Sequence, residues 1–218
     1  PLARLGRDFP VNVTVDASNG CAIPSAYVDR IVTGSFDTPD LLPERDPAGR
    51  FDVGYQKGEG TIRHESVPWV LVVPKPTPER QTPFPVVVWI HDDDGFGGDA
   101  EVYGADYARQ GIAFLSFNRP GFGAPGNRCL GGERGGFPEL NRPWWTGHLA
   151  HDRDRLRQAA IDAMNLVRII GAKTLPELGG PIYVAGAGAG GIVASMVGAT
   201  EPEVAATAPI ASGGSLAD

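Results

Sequence analysis

The stretch PIYVAGAGAGGIVASM, residues 181–196, decides how the rest of the chain is read. A β-branched run, Ile182 to Val184, gives way to Gly186, Gly188, Gly190 and Gly191, interleaved with alanines, and then to an apolar, helix-compatible segment. Strand, very tight turn and helix is the natural reading, because only glycine and small residues let a helix start so close to a strand end. Two chemistries use such a turn. In G-x-S-x-G it lifts a serine above a sheet. In G-x-G-x-x-G it brings a dinucleotide pyrophosphate to a helix N-terminus. Gly186, Gly188 and Gly191 match the second pattern. Gly186 and Gly190 match the first, with Gly188 where the serine belongs.

Working outward, residues 86–90 (VVVWI) and 112–117 (IAFLSF) read as strands buried on both faces. Between them lie a loop at 91–98 (HDDDGFGG) and a helix at 100–110 closed by Gly111. Residues 152–170 are the best helix, with Leu156, Ala160, Ala163, Val167 and Ile170 on one stripe and Arg153, Arg157 and Arg168 off it. Residues 204–210 (VAATAPI) form a last strand. Strands alternating with helices imply a mostly parallel sheet with helices on both faces, an α/β fold. Ahead of this core, 11–15, 31–36 and 66–73 read as strands, 39–60 as loop, and the proline-rich 74–85 as a turn or linker. The organisation is therefore a β-rich N-terminal region over 1–80, extending or flanking the sheet, and an α/β core over 81–218.

At 218 residues and 42% hydrophobic, the chain is long enough to bury a full-sized core. A net charge of -7 without a basic stripe argues against nucleic acid, and no apolar run reaches the roughly 20 residues of a membrane span. Cys21 and Cys129 are open to two readings, one bridge in an oxidising compartment or two buried thiols. The chain has no initiator methionine and no signal sequence, which reads as a mature product or a fragment.

The dinucleotide pattern fits poorly. Its fingerprint normally follows the first strand, with an acidic residue about 20 positions on. Here the turn follows at least three strands, and the next strand ends in Ala208-Pro209-Ile210-Ala211-Ser212, with no carboxylate.

Several pieces in order resemble an α/β-hydrolase, and within that superfamily the bacterial secreted and surface-lipoprotein lipases and esterases with a β-rich N-terminal region. Strand 86–90 ending in His91, with the glycine run 95–98, is similar to the family's oxyanion loop. Asn118-Arg119-Pro120-Gly121-Phe122-Gly123 is similar to its D-x-P-G-x-G, the helix at 152–168 to the one before its elbow, and 184–191 (VAGAGAGG) to its V-x-G-x-S-x-G-G. The resemblance implies carboxylic ester hydrolysis on an ester or lipid substrate, without a cofactor, in a secreted, periplasmic or outer-membrane-associated protein. It places the nucleophile position at Gly188 and the oxyanion donors at the backbone of Ala189 and of Asp92 or Asp93, with His91 shaping their loop. Phe137, Trp144 and Trp145, in the long segment 118–149, are candidates to line an acyl pocket or simply to anchor that segment.

Against that pattern, Gly188 carries no nucleophile, and all four histidines (His64, His91, His148 and His151) precede the elbow, whereas the family's base follows it. Asp92, Asp93 and Asp94 crowd a loop meant to stabilise negative charge. As metal ligands they are hard enough for calcium or magnesium, but the spacing matches no calcium loop, and a solvated acidic loop is preferred. The chain is expected to be inactive as given. It is either one piece of an ester hydrolase or a hydrolase-like binding or assembly subunit. Its sheet stops after the sixth strand of that fold, so a second polypeptide is expected to cover the 204–210 edge.

Overall fold

The computed structural model describes residues 12–16, 21–40, 63–92, 98–123, 127, 129, 134 and 149–212. Its strands are β1 (Val13–Val15), β2 (Val28–Asp40), β3 (Arg63–Pro74), β4 (Phe84–Ile90), β5 (Ala113–Phe117), β6 (Leu178–Ala187) and β7 (Val204–Ile210). Its helices are α1 (Asp99–Arg109), α2 (Leu149–Gly171) and α3 (Ala189–Thr200). All seven strands form one sheet in the order β1-β2-β3-β5-β4-β6-β7. The sheet is mixed. β4 runs parallel to β5 and to β6, and β6 parallel to β7. The N-terminal strands β1, β2 and β3 extend the same sheet through antiparallel pairings, the last of them with β5.

Alternation along the central strands builds two cores, one on each face. Trp69, Leu71, Val86, Val88, Leu115 and Val184 point to the face covered by α2 and α3, where Ala163, Leu166, Val193 and Val197 meet them. Val70, Val72, Val87, Trp89 and Phe114 point to the other face, against Ala100 and Ala108 of α1. No helix among the described residues is long and apolar enough to cross a membrane.

Two features go beyond the patterns in the chain. β2 runs 13 residues, to Asp40, because β3 pairs with it as far as Arg63. α2 is buried well beyond its apolar stripe, taking Asp152, Asp154, Gln158, Asp162 and Asn165 inside. These polar groups face partners rather than solvent. Asp162 accepts from Thr38 (3.1 Å), Gln158 (2.7 Å) and the buried Arg134 guanidinium (2.7 Å). Arg134 also pairs with Glu65 at 2.8 Å and donates to the Asn118 carbonyl at 3.0 Å. Burial pushes the Asp162 carboxyl above the ordinary range while Arg134 pulls the other way. Desolvation opposes the Arg134 charge, but Asp162 and Glu65 outweigh it and hold the guanidinium above its ordinary value. This cluster joins β2, β3, the end of β5 and α2.

Cys21 and Cys129 form a disulfide across 108 residues, resolving the two readings of the pair in favour of the bridge. It ties the segment before β2 to the chain beyond β5. Cross-links over loops of this length typically contribute about 2–5 kcal/mol.

β7 is an edge strand. Val204 is half-buried and the residues from Ala205 to Ile210 are exposed, Ile210 at 47%. Its outer backbone groups have no neighbouring strand among the described residues.

Candidate functional site

Parallel strands gather their C-terminal ends on one side of a sheet, and in open α/β sheets ligand sites form there. β4 and β6 are neighbours, so His91 and Asp92 at the end of one meet the glycine turn at the end of the other.

Gly188 is the only residue between β6 and α3, and its backbone (φ 51, ψ -119) lies where side chains are strained and glycine is not. Its N–H donates to the Ile210 carbonyl at 2.9 Å, and its carbonyl accepts from Gly191 at 3.0 Å. The first turn of α3 then runs directly against the end of β4. A Cβ at Gly190 would overlap the Ile90 carbonyl oxygen and stand 2.5 Å from that of His91. The glycines thus serve close approach as well as the turn.

The volume above Gly188 is filled by Asp92. A Cβ on Gly188 would overlap both carboxylate oxygens. Oδ1 of that carboxylate accepts the Ala189 N–H at 3.0 Å. Gly188 offers α3 no side-chain cap, and the first turn of α3 holds no acid. Asp92 therefore caps the helix from the end of another strand, with a charge-assisted bond at the positive end of the helix dipole.

His91 is fully buried. Its Nδ1 lies 2.7 Å from the Asp92 carbonyl and its Nε2 accepts the Arg119 N–H at 3.1 Å, which assigns the ring proton to Nδ1. Phe122 packs against the imidazole at 4.8 Å between ring centroids, and Arg119 lies 4.7 Å over the same Phe122 ring. Burial first, then the Arg119 and Arg134 charges, hold the His91 pKa well below its ordinary value, despite the opposing bond to the Asp92 carbonyl. Both nitrogens are committed to backbone groups, so the ring orders the loop and has no lone pair left for a proton.

This neutral histidine has a pH signature. On unfolding, His91 regains an ordinary pKa of about 6.5. Below that pH the unfolded chain takes a proton that the folded chain refuses. The contribution is fully present above about pH 6.5 and is lost as the pH falls toward the depressed folded pKa, at up to about 1.4 kcal/mol per pH unit. Denaturant unfolding between pH 7 and about 5 should show this slope, and His91→Gln should flatten it. An unchanged slope in that variant would rule the neutral histidine out.

Gly188, Ala189, Asp92 and His91 thus come together. Asp92 enters through its carboxylate, as an acceptor. Asp93, Phe137, Trp144, Trp145 and His148 lie outside the described residues. Ser195 donates to the Gly191 carbonyl at 3.0 Å within α3. Arg119, buried beside His91, was visible only as part of a motif, and Arg134 only as an arginine in the glycine-rich stretch GGERGG, residues 131–136. Neither position announces a buried cation. Among the described residues no group of three or more His, Cys, Asp or Glu side chains is arranged to hold a metal ion.

No protein-family model and no curated protein sequence matches the chain. Solved structures do match in fold. An acetyl xylan esterase from Paenibacillus sp. R4 superposes with a TM-score of 0.59 at 18% identity, over 95% of this chain and 55% of its own. Acetyl xylan esterase 1 from Thermoanaerobacterium sp. JW/SL YS485 gives 0.54 at 16% identity, over 90% and 51%. A hypothetical protein from Pseudomonas aeruginosa gives 0.53 at 17% identity, over 90% and 47%. The chain spans about half the length of these structures. The strand order and these superpositions agree that the chain shares the α/β fold of these structures.

Proposed function

We propose that the chain carries the scaffold of a lipase- or esterase-type carboxylic ester hydrolase in a form that does not by itself perform the reaction. The observation that carries this reading is the elbow: Gly188 holds the turn of a nucleophile without the nucleophile, and a carboxylate fills the space above it. Acyl transfer needs an attacking group, a base and free oxyanion donors. Gly188 offers no attacking atom, His91 has both nitrogens engaged, and the Ala189 N–H is already bonded. A dinucleotide would need the same helix N-terminus for its pyrophosphate, which the Asp92 carboxylate opposes.

Two roles fit this scaffold. In one, further strands, on this polypeptide beyond Asp218 or on a second one, add along the exposed β7 edge and supply an acid and a histidine for an ester or lipid substrate. In the other, the chain is a binding or assembly subunit with no chemistry of its own. The Cys21–Cys129 bridge favours an oxidising location, secreted, periplasmic or at an outer membrane. The test is p-nitrophenyl acetate turnover with fluorophosphonate labelling of the purified chain, while sedimentation reports what it assembles with. No stoichiometric label is expected, and turnover should not exceed the roughly thousandfold background that oxyanion donors and binding alone can leave. Stoichiometric labelling would overturn the reading. Activity that appears only in a complex would select the first role.

A further inference from the structure

Asp92 stands in the one place where an esterase-type elbow would receive something from outside. We infer that its carboxylate is a built-in occupant of the elbow, an autoinhibitory contact that excludes external carboxylates and any side chain at position 188. This rests on the scaffold reading above and adds what keeps its central position closed.

Three observations converge. The Ala189 N–H, the donor position implied for an oxyanion, is spent on Asp92 Oδ1 at 3.0 Å. The space that a side chain at 188 would use coincides with the same carboxylate, so the two are mutually exclusive. The backbone that carries Asp92 is itself anchored, because its carbonyl lies 2.7 Å from His91 Nδ1 and His91 is fixed in turn by the Arg119 N–H at 3.1 Å. A fully buried imidazole thus holds the acid over the turn. Glycine at 188 and aspartate at 92 are one device. The glycine admits the carboxylate, and the carboxylate caps a helix that has no acid of its own.

The device has a consequence for repair of the elbow. Gly188→Ser places its new Cβ in the carboxylate, so serine can be accommodated only once Asp92 is displaced or removed. Truncation of Asp92 to glycine would expose the Ala189 N–H and leave a void of carboxylate shape, which a small monocarboxylate fits in charge and size.

The test is thermal unfolding of the full chain in sodium formate against sodium chloride at matched ionic strength. Asp92→Gly in chloride should lose about 2–4 °C, the usual consequence of a missing helix cap in a domain of this size. Formate should restore most of that loss saturably, and should leave the wild type unmoved. In parallel, Gly188→Ala should lower the melting temperature strongly in the wild type and much less in the Asp92→Gly background. Equal formate responses in the two proteins, or an equal cost of Gly188→Ala in both backgrounds, would overturn the inference. If Asp92→Gly does not fold in chloride, refolding yield decides: recovery in formate alone supports the contact, and failure in both salts refutes it. Labelling of the wild type by fluorophosphonate would instead sink the scaffold reading and leave the formate result standing.

Discussion

Replacement of Arg134 by methionine is expected to destabilise the protein by about 3–5 kcal/mol, the usual result of leaving one partner of a buried ion pair alone. Arg134 and Asp162 are both fully buried and meet at 2.7 Å. Removal of the guanidinium leaves Asp162, among the described residues, with the Thr38 and Gln158 donors alone and takes the 2.8 Å partner from Glu65. In a domain of this size that corresponds to a melting temperature lower by very roughly 6–20 °C. The pair as a whole should matter less than the loss of either member, because two hydrophobic residues avoid both desolvation costs. Arg134→Met/Asp162→Leu should therefore recover part of the stability lost by Arg134→Met alone. Urea unfolding of the two variants checks this. Equal or additive losses would show that the cluster acts through packing rather than charge.

Gly190→Ala is the second large expected effect, and here the sign decides. Helix propensity alone would make alanine more stable in α3 by about 1 kcal/mol. Contact predicts the reverse. The new Cβ would overlap the Ile90 carbonyl and crowd that of His91, and both are backbone atoms at the end of a central strand rather than a side chain that can rotate away. Overpacking costs typically 1–3 kcal/mol, and relief here must come from moving α3 off the sheet. A net loss of about 2 kcal/mol or more is expected. The melting temperature should fall, and the Ala189 amide should shift in an NMR spectrum because its distance to Asp92 changes. A more stable variant would mean that the elbow does not need this close approach.

The glycine elbow, the continuous apolar strands at 86–90 and 112–117, and the last strand at 204–210 were legible because each rests on local chemistry. A strand buried on both faces must be apolar throughout, and so tight a turn into a helix favours glycine and small residues. The parallel order of these strands also followed from their alternation with helices, and the structure has it. The N-terminal strands were read from alternation and β-branched or apolar runs as extending or flanking the sheet, and their antiparallel pairing emerges only from the register with β5. The apolar stripe of α2 was legible, but nothing in the sequence assigned a place to its polar flank. It is buried because partners far away in sequence, Thr38, Pro39 and Arg134, come to meet it.

By itself, then, the sequence determined the strand-to-helix order of the core, the elbow at Gly188 and the absence of a side chain there. Local periodicity and the φ requirement of a tight turn act over a few residues and can be read in one dimension. Only the tertiary structure decided that Cys21 joins Cys129, that Arg134 serves Asp162, and that Asp92 enters the elbow with its carboxylate. Those pairings span 108, 28 and 97 residues. A charge does not announce in sequence which helix end or counter-ion it will face. That is settled when β4 and β6 pair side by side and bring the end of one strand over the turn of the other.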